Sequence, residues 1–205
     1  MNMHLPRRAG LSLVLLPLLA LAGCGILPKN NDTTIYTPLP AVNPDPSWPT
    51  SRSLIVVSRP GAARLMDSTR ILVRPLPGEV QVYAGAIWAQ PAPDLLHDTV
   101  VRLLEDSGKT AGVTRRGGGI AGEYELVMDL RRFDADYAGG ATPSAVIEVS
   151  ASLIRGEQNQ VVGQRLFRAS TPAASTAIPD VSRAFEQSLA EVGGQVSGWS
   201  LQQMR

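Results

Sequence analysis

Two stretches in the second half of the chain alternate apolar and polar residues so regularly that they commit it to a sheet with one buried face. Tyr124, Leu126, Met128 and Leu130 interleave with Glu123, Glu125, Val127, Asp129 and Arg131, the period-two signature of a strand packed on one side. Ile147, Val149, Ala151 and Leu153 repeat it against Glu148, Ser150 and Ser152. Between them Tyr137 to Pro143 reads as a loop, because Gly139, Gly140 and Pro143 interrupt any regular run. A turn over 155–160 then returns Val161 to Arg168 as a third strand. Short connections between alternating strands favour antiparallel pairing.

The apolar face of such a sheet needs cover, and two amphipathic helices supply it. Ala92, Pro93 and Asp94 open the first, since the missing N–H of proline has no intrahelical partner to lose in the first turn. Leu96, Val100, Leu103 and Leu104 then share one stripe, with Asp98, Arg102, Glu105 and Asp106 largely outside it and Gly108 placed to cap the C-terminus. In the second helix Val181, Phe185, Leu189, Val192, Val196 and Trp199 recur at steps of three and four, behind Asp180 as the expected N-cap. Gly193 and Gly194 each weaken a helix by about 1 kcal/mol relative to alanine, so a kink or break is expected there.

Upstream, Leu54 to Val57 and Arg70 to Arg74 read as short strands ended by Pro60-Gly61 and by Pro75 to Gly78. Glu79 to Ala84 alternates with Val80, Val82 and Ala84 on one face, and Ile87-Trp88-Ala89 follows. The fold class is therefore α+β: an antiparallel-rich sheet packed against two amphipathic helices.

The N-terminus has a different character. His4, Arg7 and Arg8 precede an apolar run from Leu11 to Leu21, the length of a signal peptide and well short of the roughly 20 residues that span a bilayer. The run ends in Leu21-Ala22-Gly23-Cys24. This looks like a lipoprotein processing box, with small residues where a peptidase closes on the backbone and a cysteine that takes a diacylglycerol and becomes the new N-terminus. Cys24 is the chain's one cysteine, so an internal disulfide is excluded. Pro28, Pro38, Pro40, Pro44, Pro46 and Pro49 make the next stretch an extended tether on which Tyr36 and Leu39 could still dock. Trp48 is expected to dock on the domain or touch another chain. The organisation read here is a signal over 1–23, a lipid-anchored tether over 24–52 and one α+β periplasmic domain over 53–205.

Removing residues 1–23 takes away Arg7 and Arg8, leaving 17 basic residues against 18 acidic ones. A near-neutral chain lacks the basic footprint of nucleic-acid binding. His4 lies in the signal and His97 on the first helix, where a solvent-exposed or boundary position is expected, so no histidine cluster forms a metal site or catalytic triad. Arg115-Arg116-Gly117-Gly118-Gly119 reads as a flexible hairpin tip rather than an anion cradle, and Glu123, Glu125 and Asp129 as a solvated strand face. No enzyme, cofactor or metal is expected. The candidate partner-binding residues are Trp88, Tyr83 and Trp199, with core packing the stronger expectation for Trp88.

Taken in order, Cys24, Tyr36-Thr37-Pro38-Leu39, Ile71-Leu72-Val73, Val82-Tyr83, Trp88-Ala89-Gln90-Pro91, the Leu95 to Leu104 helix, a strand ending at Phe133 and a helix beginning Val181-Ser182-Arg183-Ala184-Phe185 resemble the ABC-type transport auxiliary lipoprotein family. Its best-known members are the paraquat-inducible C-type lipoproteins. The resemblance implies a periplasmic lipoprotein working beside an MCE-domain protein and an ABC permease and ATPase to move lipids between two membranes. It also implies a ring of copies, a homo-oligomer, and a contribution of contacts or a conduit without chemistry. The competing expectation is an outer-membrane biogenesis lipoprotein that assembles another envelope machine. Gly25 lacks the acidic side chain that retains enteric lipoproteins at the inner membrane, which points the anchor to the periplasmic face of the outer membrane. Metabolic labelling with a fatty-acid analogue should mark the wild type and lose all signal in Cys24→Ser; equal labelling of the two would overturn the anchor.

Overall fold

The computed structural model describes residues 32–156 and 158–204. Its elements in chain order are β1 (Thr34–Tyr36), β2 (Leu54–Val57), β3 (Gly61–Ala62), β4 (Arg70–Arg74), β5 (Gln81–Trp88), α1 (Ala92–Ser107), β6 (Gly112–Arg115), β7 (Tyr124–Asp136), β8 (Ser144–Arg155), β9 (Gln160–Pro172) and α2 (Ile178–Gln203). They form one α+β domain, a nine-stranded mixed sheet with both helices packed against it.

The long strands are antiparallel, as their short connections require: β7 pairs with β8 and β8 with β9 along nearly their whole lengths. The opposite side of β7 is shared by β2, β3 and β4, each parallel to it. Parallel pairing also joins β2 to β6 and β1 to β5. These partners are far apart in sequence, and a long connection such as the one through α1 permits the parallel direction that a tight turn forbids.

Strict alternation along β7 runs only to Leu130. A bulge between Leu130 and Arg132 inserts one residue, so the next inward side chain is Phe133, three positions on and 1% exposed. Phe133 thereby reaches Phe185 of α2, ring centroids 4.8 Å apart and stacked, while Trp88 stands edge-on to both at 6.1 and 5.1 Å. A second irregularity lies in β5, where Gly85 takes φ 68° and the register with β4 shifts. Ala86 and Trp88 face the core beyond it, whereas Val80 and Val82 remain substantially exposed.

The expected break in α2 does not occur; the helix is continuous from Ile178 to Gln203. Its six-residue stripe is buried throughout. Gly193 sits where α2 meets α1, and a Cβ there would lie 2.8 Å from Thr99 Cγ2 and 2.9 Å from Leu103 Cδ1. Close helix approach thus offsets the weak propensity of glycine. The helix also starts earlier than expected: Ala177 flanks its first turn, and Asp180 lies inside that turn, accepting the Ser175 hydroxyl and pairing with Arg183. There its charge still meets the positive end of the helix. Ser188, fully buried, donates to the Ala145 carbonyl at 2.9 Å and lies 2.8 Å from the Thr171 hydroxyl, which pins α2 to β8 and β9.

The compact unit begins at Thr33, well before Ser53. Thr34–Tyr36 adds to the sheet beside the end of β5, and Ala89 donates to the Tyr36 carbonyl at 2.8 Å. Pro38 and Pro40 are buried, while the Leu39 side chain stays outside. Trp48 packs over α2 at Gly198, where a Cβ would sit 2.7 Å from Trp48 Nε1. The proline-rich segment is therefore a strap across the domain from Thr33 onward. Prolines suit that role, because a strap making few backbone ladder bonds loses little by lacking N–H donors.

Thr99 cannot swing away from a new methyl group easily, since its hydroxyl is held by the Leu95 carbonyl at 2.7 Å. Gly193→Ala should therefore cost about 1–3 kcal/mol in urea denaturation. Gly194→Ala, whose Cβ would meet no atom within 4 Å, should stabilise by about 0.5–1 kcal/mol.

Candidate functional site

The three aromatic candidates occupy different places. Trp88 is 1% exposed within the Trp88–Phe133–Phe185 cluster, so in this fold it packs the core and offers nothing to a partner. Tyr83 is half-buried; its hydroxyl is enclosed without a hydrogen-bond partner among the described residues. Burial pushes that phenol well above its ordinary value, with Tyr137 beside it adding to the shift. Trp199 turns its ring edge-on to Phe167 at 5.5 Å, near the surface where α2 runs beside β9. Cys24 lies outside the described residues.

Several charged residues differ from their sequence expectation. His97 is buried, its Nε2 3.2 Å from the Val57 carbonyl, and ties α1 to the sheet rather than facing solvent. Arg115 and Arg116 are held: Arg115 Nη2 bonds Asp98 Oδ1 at 2.9 Å, and Arg116 clasps Glu125. Glu125 also accepts the Ser58 hydroxyl at 2.6 Å, so it is no freely solvated residue. Glu123 takes the Leu54 N–H at 2.7 Å, whereas Asp129 is exposed as expected. At the other end of β7, Arg132 bonds both Asp134 at 2.6 Å and Asp136 at 2.7 Å. Arg74 reaches the nearly buried Asp134 at 3.5 Å. The bulge in β7 and the β4–β5 turn create that cluster, and neither leaves a mark in the alternation.

One surface shaped to receive another molecule lies between α2 and β9. Among the described residues β9 pairs only with β8, so its other edge is open. Beside that edge is a notch of about 210 Å³ lined by Trp48, Arg165, Phe167, Gly194, Gly198 and Trp199. Two absent side chains shape it: Gly198 lets Trp48 close one end, and Gly194 leaves the floor open. The Arg165 guanidinium lies 5.3 Å from the Phe167 ring centre, giving an aromatic wall with a cationic rim. Its lining holds no paired acid and base positioned on a reacting atom. Sequence reading found Trp199 and singled out Trp48, but nothing in the linear order joins them to Gly198 and Arg165.

A sequence profile described as the ABC-type transport auxiliary lipoprotein component matches residues 34–197, from β1 to the last turns of α2. The chain belongs to this family. An auxiliary lipoprotein of an ABC transport system is a component of the cell envelope associated with that system, and its family is named for transport rather than for catalysis. A DUF330-family protein from Xanthomonas campestris, solved by crystallography, is 48% identical with a TM-score of 0.79, covering 83% of this chain and 96% of its own. An uncharacterised protein of known crystal structure shares the fold at 15% identity and a TM-score of 0.63, covering 81% of this auxiliary lipoprotein and 97% of its own chain. An uncharacterised protein of Bradyrhizobium diazoefficiens is 24% identical over 165 residues, 78% of this chain; the chain spans 42% of that relative's length. Among the described residues no helix is long and apolar enough to cross a membrane.

The Arg116 hydrogen bond holds the Glu125 carboxyl below its ordinary value, against the opposing effect of burial. A carboxylate lowered on folding adds stability above the unfolded pKa and loses it as pH falls through the folded one. Glu125→Gln should thus be about 1 kcal/mol less stable than wild type at neutral pH. The gap should narrow as the pH falls through the ordinary carboxylate range of about 4.3 and close once it has passed the lower folded-state value, where both states carry a protonated carboxyl. Urea titrations at neutral pH and in acid measure the difference, and a gap that persists in acid would remove the ionic contribution.

Proposed function

We propose that this protein is the lipid-anchored accessory subunit of an MCE-type lipid transport system, acting by binding protein and, through its anchor, membrane. The observation that carries this reading is the family match across nearly the whole folded unit. The Leu21 to Cys24 box shortly upstream of it supports the anchor. Acylated Cys24 would hold the domain at the periplasmic face of the outer membrane after loss of residues 1–23. Residues 24–32 are all that separate that anchor from the compact unit, a reach of at most ~30 Å. The module would thus work close to the bilayer instead of ranging across the periplasm.

In that position an accessory subunit influences lipid movement through what it holds in place. An MCE-domain protein is the proposed direct partner, and the ABC permease and ATPase are engaged through it. Copies of this chain would assemble around the conduit.

Affinity purification of a chromosomally tagged chain in mild detergent should recover an MCE-domain protein, with recovery at least tenfold lower for Cys24→Ser. Recovery of a different envelope machine, with no MCE-domain protein, would overturn this function.

A further inference from the structure

We infer that the open edge of β9, together with the aromatic notch beside it, is a docking site for an extended segment of another protein that carries acid, apolar, apolar and acid residues in succession. The edge is long, Gln160–Pro172, and unpaired on one side among the described residues. Natural sheets usually blunt such edges by shortening or covering them. Here Val161 and Leu166 are about half exposed on it, and a cavity for a side chain lies alongside.

The order of residues on the edge dictates the order in its guest. Phe167 and Ala169 face α2 and are buried, and a Cβ at Gly163 would lie 3.1 Å from Trp199 Cζ2. Arg165 shares that side, while Leu166 and Arg168 share the other, by strand parity. An added strand therefore meets a cation at Arg165, an exposed aliphatic at Leu166, the notch at Phe167 and a second cation at Arg168. Neither arginine has an ion-pair partner among the described residues, although seven other arginines do. Strand addition supplies backbone bonds, and alternate pockets supply the choice of sequence.

The same charges disfavour two of the registers in which a second copy would use this edge on itself. Antiparallel β9–β9 pairing keeps each face continuous only when centred on a residue, and centring it on Arg165 or on Arg168 would set that arginine opposite its own copy, where like charges destabilise the pair. An acidic, apolar partner satisfies both features at once.

This inference deepens the accessory-subunit reading and rests on it only in taking the partner to be a protein. Random twelve-residue peptides displayed on phage and selected against the full chain in detergent should yield sequences with two acids three positions apart and apolar residues between them. A synthetic peptide of the selected sequence should bind at least tenfold more weakly to the Arg165→Glu, Arg168→Glu double variant. The same loss is expected for Gly194→Leu, which fills the notch floor. Hydrogen exchange should slow along β9 when the peptide binds. Should Gly194→Leu fail to fold, the exposed arginine variant still decides the matter. Enrichment of basic or featureless peptides, unchanged affinity in the charge-reversed variant, protection away from β9, or a peptide that competes only with self-association would each overturn it. If any of these occurs while the tagged chain still recovers an MCE-domain protein, the edge is wrong and the accessory role stands.

Discussion

Tyr124–Asp136 is the strand to which every other strand is tied, directly or through one or two neighbours. It pairs with β8 along one side and with three short parallel strands in succession along the other. Its difficulty is that strict period two beyond Leu130 would turn Phe133 away from the core. The extra residue at Arg131 resolves this by re-aiming the strand, so that Leu130 and Phe133 both point inward. The aromatic cluster of Trp88, Phe133 and Phe185 forms at that correction and joins three elements remote in sequence.

Close packing of the two helices rests on glycine in a way that helix propensity alone does not reveal. Gly193 removes the one side chain that would hold α2 away from Thr99 and Leu103. Gly198 removes another, on the face that receives Trp48 from the strap. A helix can carry residues of low propensity where their smallness allows large areas of other side chains to meet, because most helical stability in a folded protein comes from tertiary packing.

The strap changes how much of the chain belongs to the folded unit. In place of a tether running freely from 24 to 52, the chain from Thr33 onward is a strap held on the domain. It also turns Trp48 from a linker residue into a wall of the notch beside β9.

What the sequence determined by itself were the features written in local periodicity. The three long strands, the stripe of each helix, the αL cap at Gly108 and the α+β class all follow from spacing, because burial of one face imposes period two or three to four on neighbouring residues. The family was legible for the same reason, as an ordered series of such elements. Tertiary structure alone decided what depends on residues distant in the chain: the parallel half of the sheet, burial of His97, the clasp of Arg116 on Glu125, the unbroken α2 and the meeting of Trp48 with Gly198 and Trp199. In each case the deciding contact joins segments whose spacing carries no periodic signal, so local pattern could not distinguish a glycine that breaks a helix from one that lets another helix in.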